Sequence, residues 1–330
     1  MKKFTKITMT LVGGLLAVAP AAMAQTTLRL STYVNEVDPR YEGFKKFAEL
    51  ATAKTSGRVK VQIFPSSTLH GWSEGVDAML GGVSDISWVP TGEKRLPCYG
   101  VTSLYPMVVD MSKQIELDAA YSTLMKDEAA KVGLVPLINS NYSYDQEWWF
   151  KKPGTDLSKM NGMLVRSIGP LVSTMIETWG GKPVFIAPKE VFQSAERGVV
   201  DGINMGVATY SANKLWGVMP HMVQANMFYG NINYMINKKK FDALTPADQT
   251  ALMAAAKESE AWLKPLYEKS VDTDIASAVK QGGTVTKVPA AQRKAMADAI
   301  AAKWKPEVDK SCGMDQANKV RALFAKHTAK

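Results

Sequence analysis

From residue 27 onward the chain alternates between a two-residue and a 3.6-residue hydrophobic period, and that alternation restricts it to few folds. "TLRLSTY" (27–33) sets Leu28 and Leu30 on one face, as a half-buried strand requires. "RYEGFKKFAELATAKTSG" then spaces Tyr41, Phe44, Phe47, Ala48 and Ala51 as a helix, with Gly57 as its stop. "RVKVQIFP" returns to strand period through Val59, Val61 and Ile63 and ends at Pro65. "EGVDAMLGGVSDISWVP" gives a helix, a Gly-Gly break and another strand. This β-α-β-α-β order predicts an α/β fold with largely parallel strands. Further strands are expected at 133–139, 162–167, 181–186 and 227–237. A helix from about 245 to 281 is too long for one small domain unless it spans two. No internal repeat or low-complexity linker separates the halves, so the chain should cross between lobes on ordered segments, the geometry of a hinged clamp.

Residues 1–24 do not belong to that pattern. They begin with Lys2, Lys3 and Lys6, continue through an apolar run and finish on Ala22-Met23-Ala24, the small-x-small pattern read by signal peptidase. The mature chain is therefore expected to start at Gln25, in the periplasm first and secreted second. Loss of the three leader lysines lowers the net charge from +9 to +6. Basic residues are interspersed with acids, "NKKKF" (237–241) being the one tight run and most simply a solvated turn, so nucleic acid is not an expected partner. Cys98 and Cys312 would meet an oxidising compartment, where a disulfide is allowed.

Signatures of chemistry are sparse. "GWSEG" (71–75) matches the G-x-S-x-G nucleophile elbow, which needs its serine on a sharp turn directly between strand and helix. Here "SSTLH" intervenes after Pro65, and Ser73 is better placed as a helix N-cap. A periplasmic serine hydrolase using Ser73 is kept as the rival from another class. His70, His221 and His327 show no metal-ligand spacing and read as loop or tail residues, and no Walker loop or strand-coupled GxGxxG occurs. The expectation is a binder with no catalytic residue, metal or cofactor.

Five segments, "GRVKVQIFPSSTL", "GGVSDISWV", "KKPGTDLSKMNGMLVRS", "APKEVFQSAERGVVDG" and "FDALTPADQTAL", stand in an order and spacing that resembles the DctP-type solute-binding proteins of TRAP transporters. The resemblance covers about residues 28 to 305. It implies a two-lobed periplasmic-binding-protein fold with β-strand hinges and a long helix spanning both lobes. On that basis lobe I comprises 25–143 plus about 231–272, and lobe II about 144–230 plus 273–330. The implied function is capture of a small organic acid, delivered to an ion-gradient-driven permease of one small and one large subunit by a monomeric binding protein. A sensor kinase is the alternative partner.

The family's strand arginine, which pairs with the ligand carboxylate, corresponds to Arg166; a planar guanidinium fork suits that role. The bland alternative is a buried ion pair with a protein acid. Departures from the sialic-acid and dicarboxylate pattern lie in "DQEWW" (145–149), which contains Trp148, and at Met205 after "VDG". Tyr33, Trp72 and Trp88 occupy first-lobe positions that are polar in those relatives. One cation and an aromatic wall point to a monocarboxylate with an aromatic or branched body, such as an aryl or 2-oxo acid. A dicarboxylate or compatible solute is the runner-up. Asn139, Asn141, Tyr142, Tyr229 and Asn231, at or near strand ends, are expected as further contacts. Asp201 and Gly202 read as a turn and Glu190 as a helix-start acid.

Overall fold

The computed structural model describes residues 25–140, 142 and 146–329. Residues 1–24, where the sequence leads one to expect a signal peptide, lie outside the described residues. The first half runs β1 (Thr26–Ser31), α1 (Pro39–Lys54), β2 (Val59–Phe64), α2 (Gly75–Leu80), β3 (Ile86–Trp88), α3 (Pro97–Thr102), β4 (Leu104–Pro106), α4 (Gln114–Val132) and β5 (Leu134–Ile138). There follow β6 (Gln146–Phe150), β7 (Leu164–Ser167), α5 (Pro170–Thr178), β8 (Lys182–Phe185), α6 (Val191–Glu196), β9 (Gly202–Gly206), α7 (Val207–Ala212) and β10 (His221–Gln224). The chain returns through β11 (Phe228–Gly230), β12 (Tyr234–Asn237), α8 (Lys238–Asp242) and α9 (Pro246–Lys280), and closes with β13 (Thr284–Lys287), α10 (Ala290–Cys312) and α11 (Met314–His327).

Two main sheets result, ordered β2-β1-β3-β12-β5 and β13-β10-β6-β9-β7-β8. Parallel pairing holds within β2-β1-β3 and β9-β7-β8, as the alternation predicts, while β12 and β6 run antiparallel to both their neighbours. The fold is thus α/β and two-lobed. The expected strand over 227–237 is instead two strands: β11 pairs with β4 in a small separate ladder, and β12 joins the first sheet. Strands β6, β9, β10 and β13 carry no alternation that identified them. In β6 the last four residues are buried and in β9 all five, because both faces are covered. His221 accordingly lies in β10, not in a loop, and Gly202 opens β9 instead of ending a turn.

Local chemistry explains the helix ends. Asp38 caps α1 by accepting from Arg40 N, with Pro39 at the first position, and Phe44, Phe47, Leu50 and Ala51 are buried. Thr245 caps α9 by accepting from Asp248 N, and Pro246 begins its 35 residues. That helix packs against α1 and β5 at one end and α7 and β13 at the other, so it spans both lobes. Its approach to α1 is close: a Cβ on Gly43 would lie 2.6 Å from Leu263 Cδ2. The basic run at 237–241 is the short helix α8, capped by Asn237.

Cys98 in α3 and Cys312 at the end of α10 form a disulfide. Helix α10 lies against α3, β4 and α5 and α11 against α4, while β13 joins the second sheet. His327, read as a tail residue, is buried in α11. Among the described residues no helix is long and apolar enough to cross a membrane, and no cluster of potential metal ligands occurs.

Candidate functional site: a buried arginine and a cleft between the lobes

Arg166 sits near the end of β7, flanked by β9 on one side and β8 on the other. Its side chain is 0 % exposed. Nε donates to Ile186 O at 2.9 Å, just past β8, and Nη1 donates to Asn204 O at 2.5 Å in β9. The guanidinium therefore caps the end of its own strand and bridges the carbonyls of both neighbours. Nη2 is buried without a partner, and no carboxylate of the described residues pairs with the group. Burial alone pulls its pKa down to about 9. A position outside the carboxyl ends of β7 and β8 is where α/β sheets bind ligands.

Two residues beyond Ile186, Pro188 and Lys189 form one wall of a cleft of about 130 Å³, with Thr209 and Asn213 beside them; Tyr33, Asn35, Asp38 and Ser66 form the other. Hydrogen bonds cross between the lobes around it. Asn35 Nδ2 donates to Ala212 O at 3.3 Å, Thr91 Oγ1 to Ile168 O at 2.8 Å, and Arg40 Nη2 to Thr209 Oγ1. Arg40 is fixed from behind by Asp38, through Nε to Oδ1 at 2.9 Å and Nη2 to Oδ2 at 2.5 Å, and donates Nη1 to Tyr33 OH at 3.1 Å.

The structure brings three of the expected aromatics together. Tyr33 meets Trp72 and Trp88 edge-on at 5.0 and 5.6 Å, and the two indoles stack at 6.0 Å. Trp88 Nε1 donates to Trp72 O at 2.8 Å, while Trp72 Nε1 is buried without a partner. Trp148 lies in β6, fully buried, edge-on to Trp179 at 5.4 Å, its Nε1 also unpartnered. Met205, in β9, packs in the apolar cluster containing Trp149, whose Nε1 donates to its carbonyl.

Other candidates are engaged by the protein itself. Tyr229 OH donates to Asp118 Oδ1 at 2.7 Å, and Asn231 Nδ2 lies 2.8 Å from the same oxygen and 2.7 Å from Asn139 O. Tyr142, at a left-handed φ of 55°, donates to Glu260 O on α9. Asn141 lies outside the described residues. Ser73 does not cap a helix: it falls inside a 3-10 turn (Trp72–Glu74) preceded by Gly71, whose N–H donates to Glu74 Oε2. No elbow forms there, and His70 Nε2 contacts Ser87 Oγ at 3.0 Å, not Ser73. Sequence reasoning missed Asn204, Arg40, Asp38 and Thr209. The signals present were a polar residue inside the apolar "GINMG" and the acid-proline-base triplet "DPR".

Comparison with known proteins agrees with the two-lobed α/β fold. The profile of bacterial extracellular solute-binding protein family 7, DctP, matches residues 30–311. An uncharacterised protein of Haemophilus influenzae is 28% identical over 285 residues, 84% of this chain and 86% of that one. The 2,3-diketo-L-gulonate-binding periplasmic protein YiaO of Escherichia coli is 23% identical over 295 residues, 88% of this chain and 89% of its own. A TRAP periplasmic solute-binding protein of Desulfovibrio salexigens, solved with orotic acid, superposes with a TM-score of 0.81 at 19% identity, over 91% of this chain and 98% of that chain. The chain belongs to the DctP family of bacterial extracellular solute-binding proteins, which serve TRAP transporters and bind solutes without transforming them.

Proposed function

We propose that this protein captures a small organic monocarboxylate with an aromatic or branched body and presents it to the small and large subunits of a TRAP permease. The observation that carries the reading is Arg166: a fully buried cation whose Nη2 has no partner and which faces no acid of the described residues. Leaving a buried charge unpaired is costly, and a ligand carboxylate removes that cost with charge-assisted hydrogen bonds. Tyr33 lines the cleft and packs on Trp72 and Trp88 behind it, which supports a flat or apolar ligand body, and orotic acid in the Desulfovibrio protein is a ring bearing one carboxylate. The reading includes export after cleavage at Ala24, a monomer, and two lobes divided near residues 143, 231 and 272.

A thermal-shift panel of organic acids, sorted by carboxylate number and aromatic content, tests it, since a ligand that binds only the folded state raises its melting temperature. Stabilisation by aromatic or branched monocarboxylates is the expected result. Stabilisation confined to dicarboxylates, sugar acids or zwitterionic solutes overturns the ligand class.

A further inference from the structure

We infer that the two lobes close on a latch of their own, made of Arg40 and Thr209 at one place and Thr91 and Gly169 at another, which sets how tightly a solute is held without choosing the solute. This rests on capture between the lobes, not on the class of acid captured.

Arg40 stands at the start of α1, beside the first sheet, and Thr209 lies in α7, directly after β9 of the second. Arg40 Nη2 donates to Thr209 Oγ1, and that hydroxyl donates to Asp38 Oδ2 at 3.4 Å, so one group of the second lobe joins both members of the Asp38–Arg40 pair. Both charges belong to the first lobe. Opening therefore leaves the ion pair whole and gives up only neutral partners: the Thr209 hydroxyl and, beside it, the Ala212 carbonyl that Asn35 Nδ2 reaches at 3.3 Å. Water takes the place of each, so every bond shifts closure by a modest amount and can be remade.

The second contact is read from a glycine. Thr91 Oγ1, past β3, donates to Ile168 O, past β7, at 2.8 Å. A Cβ on Gly169 would lie 2.6 Å from that same Thr91 oxygen and 3.3 Å from Thr91 Cβ, and its three nearest atoms all belong to Thr91. Gly169 has a φ of 174°, extended backbone that alanine adopts freely. Its own turn does not require glycine; the nearness of the other lobe does. Gly92, on the facing loop, approaches Pro170 Cδ in the same way, at 3.1 Å, but its φ of 78° already favours glycine, which leaves Gly169 as the cleaner probe.

If closure is held by protein contacts, weakening them lowers every solute's apparent affinity by one factor. A residue that touches the solute changes some affinities more than others. The test is calorimetry and stopped-flow fluorescence on wild type, Gly169→Ala and Thr209→Val, with orotate, phenylpyruvate, 2-oxoisocaproate, succinate and galactonate as probes. Each probe that binds the wild type is expected to bind a given variant more weakly by a common factor, through faster dissociation, with solute-free urea unfolding unchanged. That factor is about tenfold for the methyl wedged at 169 and about threefold to tenfold for the lost hydroxyl. Adding Thr91→Ala to Gly169→Ala removes the oxygen that the methyl meets and should recover part of the loss. Unchanged affinities, a factor that differs severalfold between probes, or no recovery in the double variant overturns the latch. If Gly169→Ala does not fold, Thr209→Val decides. Binding of succinate or galactonate alone overturns the monocarboxylate reading and leaves the latch to be judged on those probes; a panel in which nothing binds overturns both.

Discussion

Two arginines, Arg40 and Arg166, are buried to the same degree and held in opposite ways. Burial pulls the Arg40 pKa down, but the Asp38 carboxylate more than offsets this and holds it well above the usual value; Arg166 has only main-chain carbonyl acceptors, and burial pulls its pKa down to about 9. The first is a finished ion pair that reaches across the cleft to Thr209. The second is an unfinished one. Sequence reasoning weighed a structural ion pair against a ligand anchor for Arg166; the ion pair is found at Arg40, and Arg166 has no acid of the described residues beside it.

The largest effect that would sharpen this contrast is on stability. Asp38→Ala strands Arg40 in the interior and is expected to cost about 3–5 kcal/mol in urea unfolding, the scale for breaking a buried pair. Arg166→Met should do the reverse. It removes an unpaired charge, leaves unfolding stability unchanged or higher, and weakens binding of the best monocarboxylate by about 2–5 kcal/mol in calorimetry. A large loss of stability with unchanged affinity would mean that Arg166 serves the fold.

Asp118 extends the contrast to acids. Burial pushes it up to about 6, against hydrogen bonds from Ser140, Tyr229, Asn231 and Gln114. Its folded pKa is above the unfolded one, so the folded state holds the extra proton. Its contribution is therefore full below pH ~4 and lost as pH rises through ~6. Relative to Asp118→Asn, the wild type should lose up to about 2 kcal/mol across that window, read by urea unfolding at each pH. At the small end, the exposed Lys294–Asp298 pair on α10 should yield less than about 0.5 kcal/mol when Lys294 is replaced by Ala. A larger value there would undo the claim that burial, not charge, separates these cases.

The contrast also shows what the sequence could disclose. Arg166 was legible because one cation interrupts an apolar strand, and α9 because a Thr-Pro start opens a long run without a glycine. Strands β6 and β9 were not legible, since a strand buried on both faces loses the alternation that marks it. Asp38 is two residues before Arg40, yet whether such neighbours bond each other or solvent depends on what packs above them, and Thr209 is supplied from far along the chain. The Asn204 oxygen escaped notice because it is left unpaired only once strands from three parts of the chain have assembled. The bonds of Tyr229 and Asn231 to Asp118 were not legible either, because Asp118 sits in a helix of ordinary composition.

The bond between Cys98 and Cys312 spans 214 positions and encloses the passages from β5 to β6, from β10 to β12, and along α9. A single protease cut at any of these passages would leave one covalent molecule until a reductant was added. With only two cysteines there is a single intramolecular pairing, so oxidation has nothing to sort. The first thiol must wait for nearly the whole chain to arrive before it can close the ring.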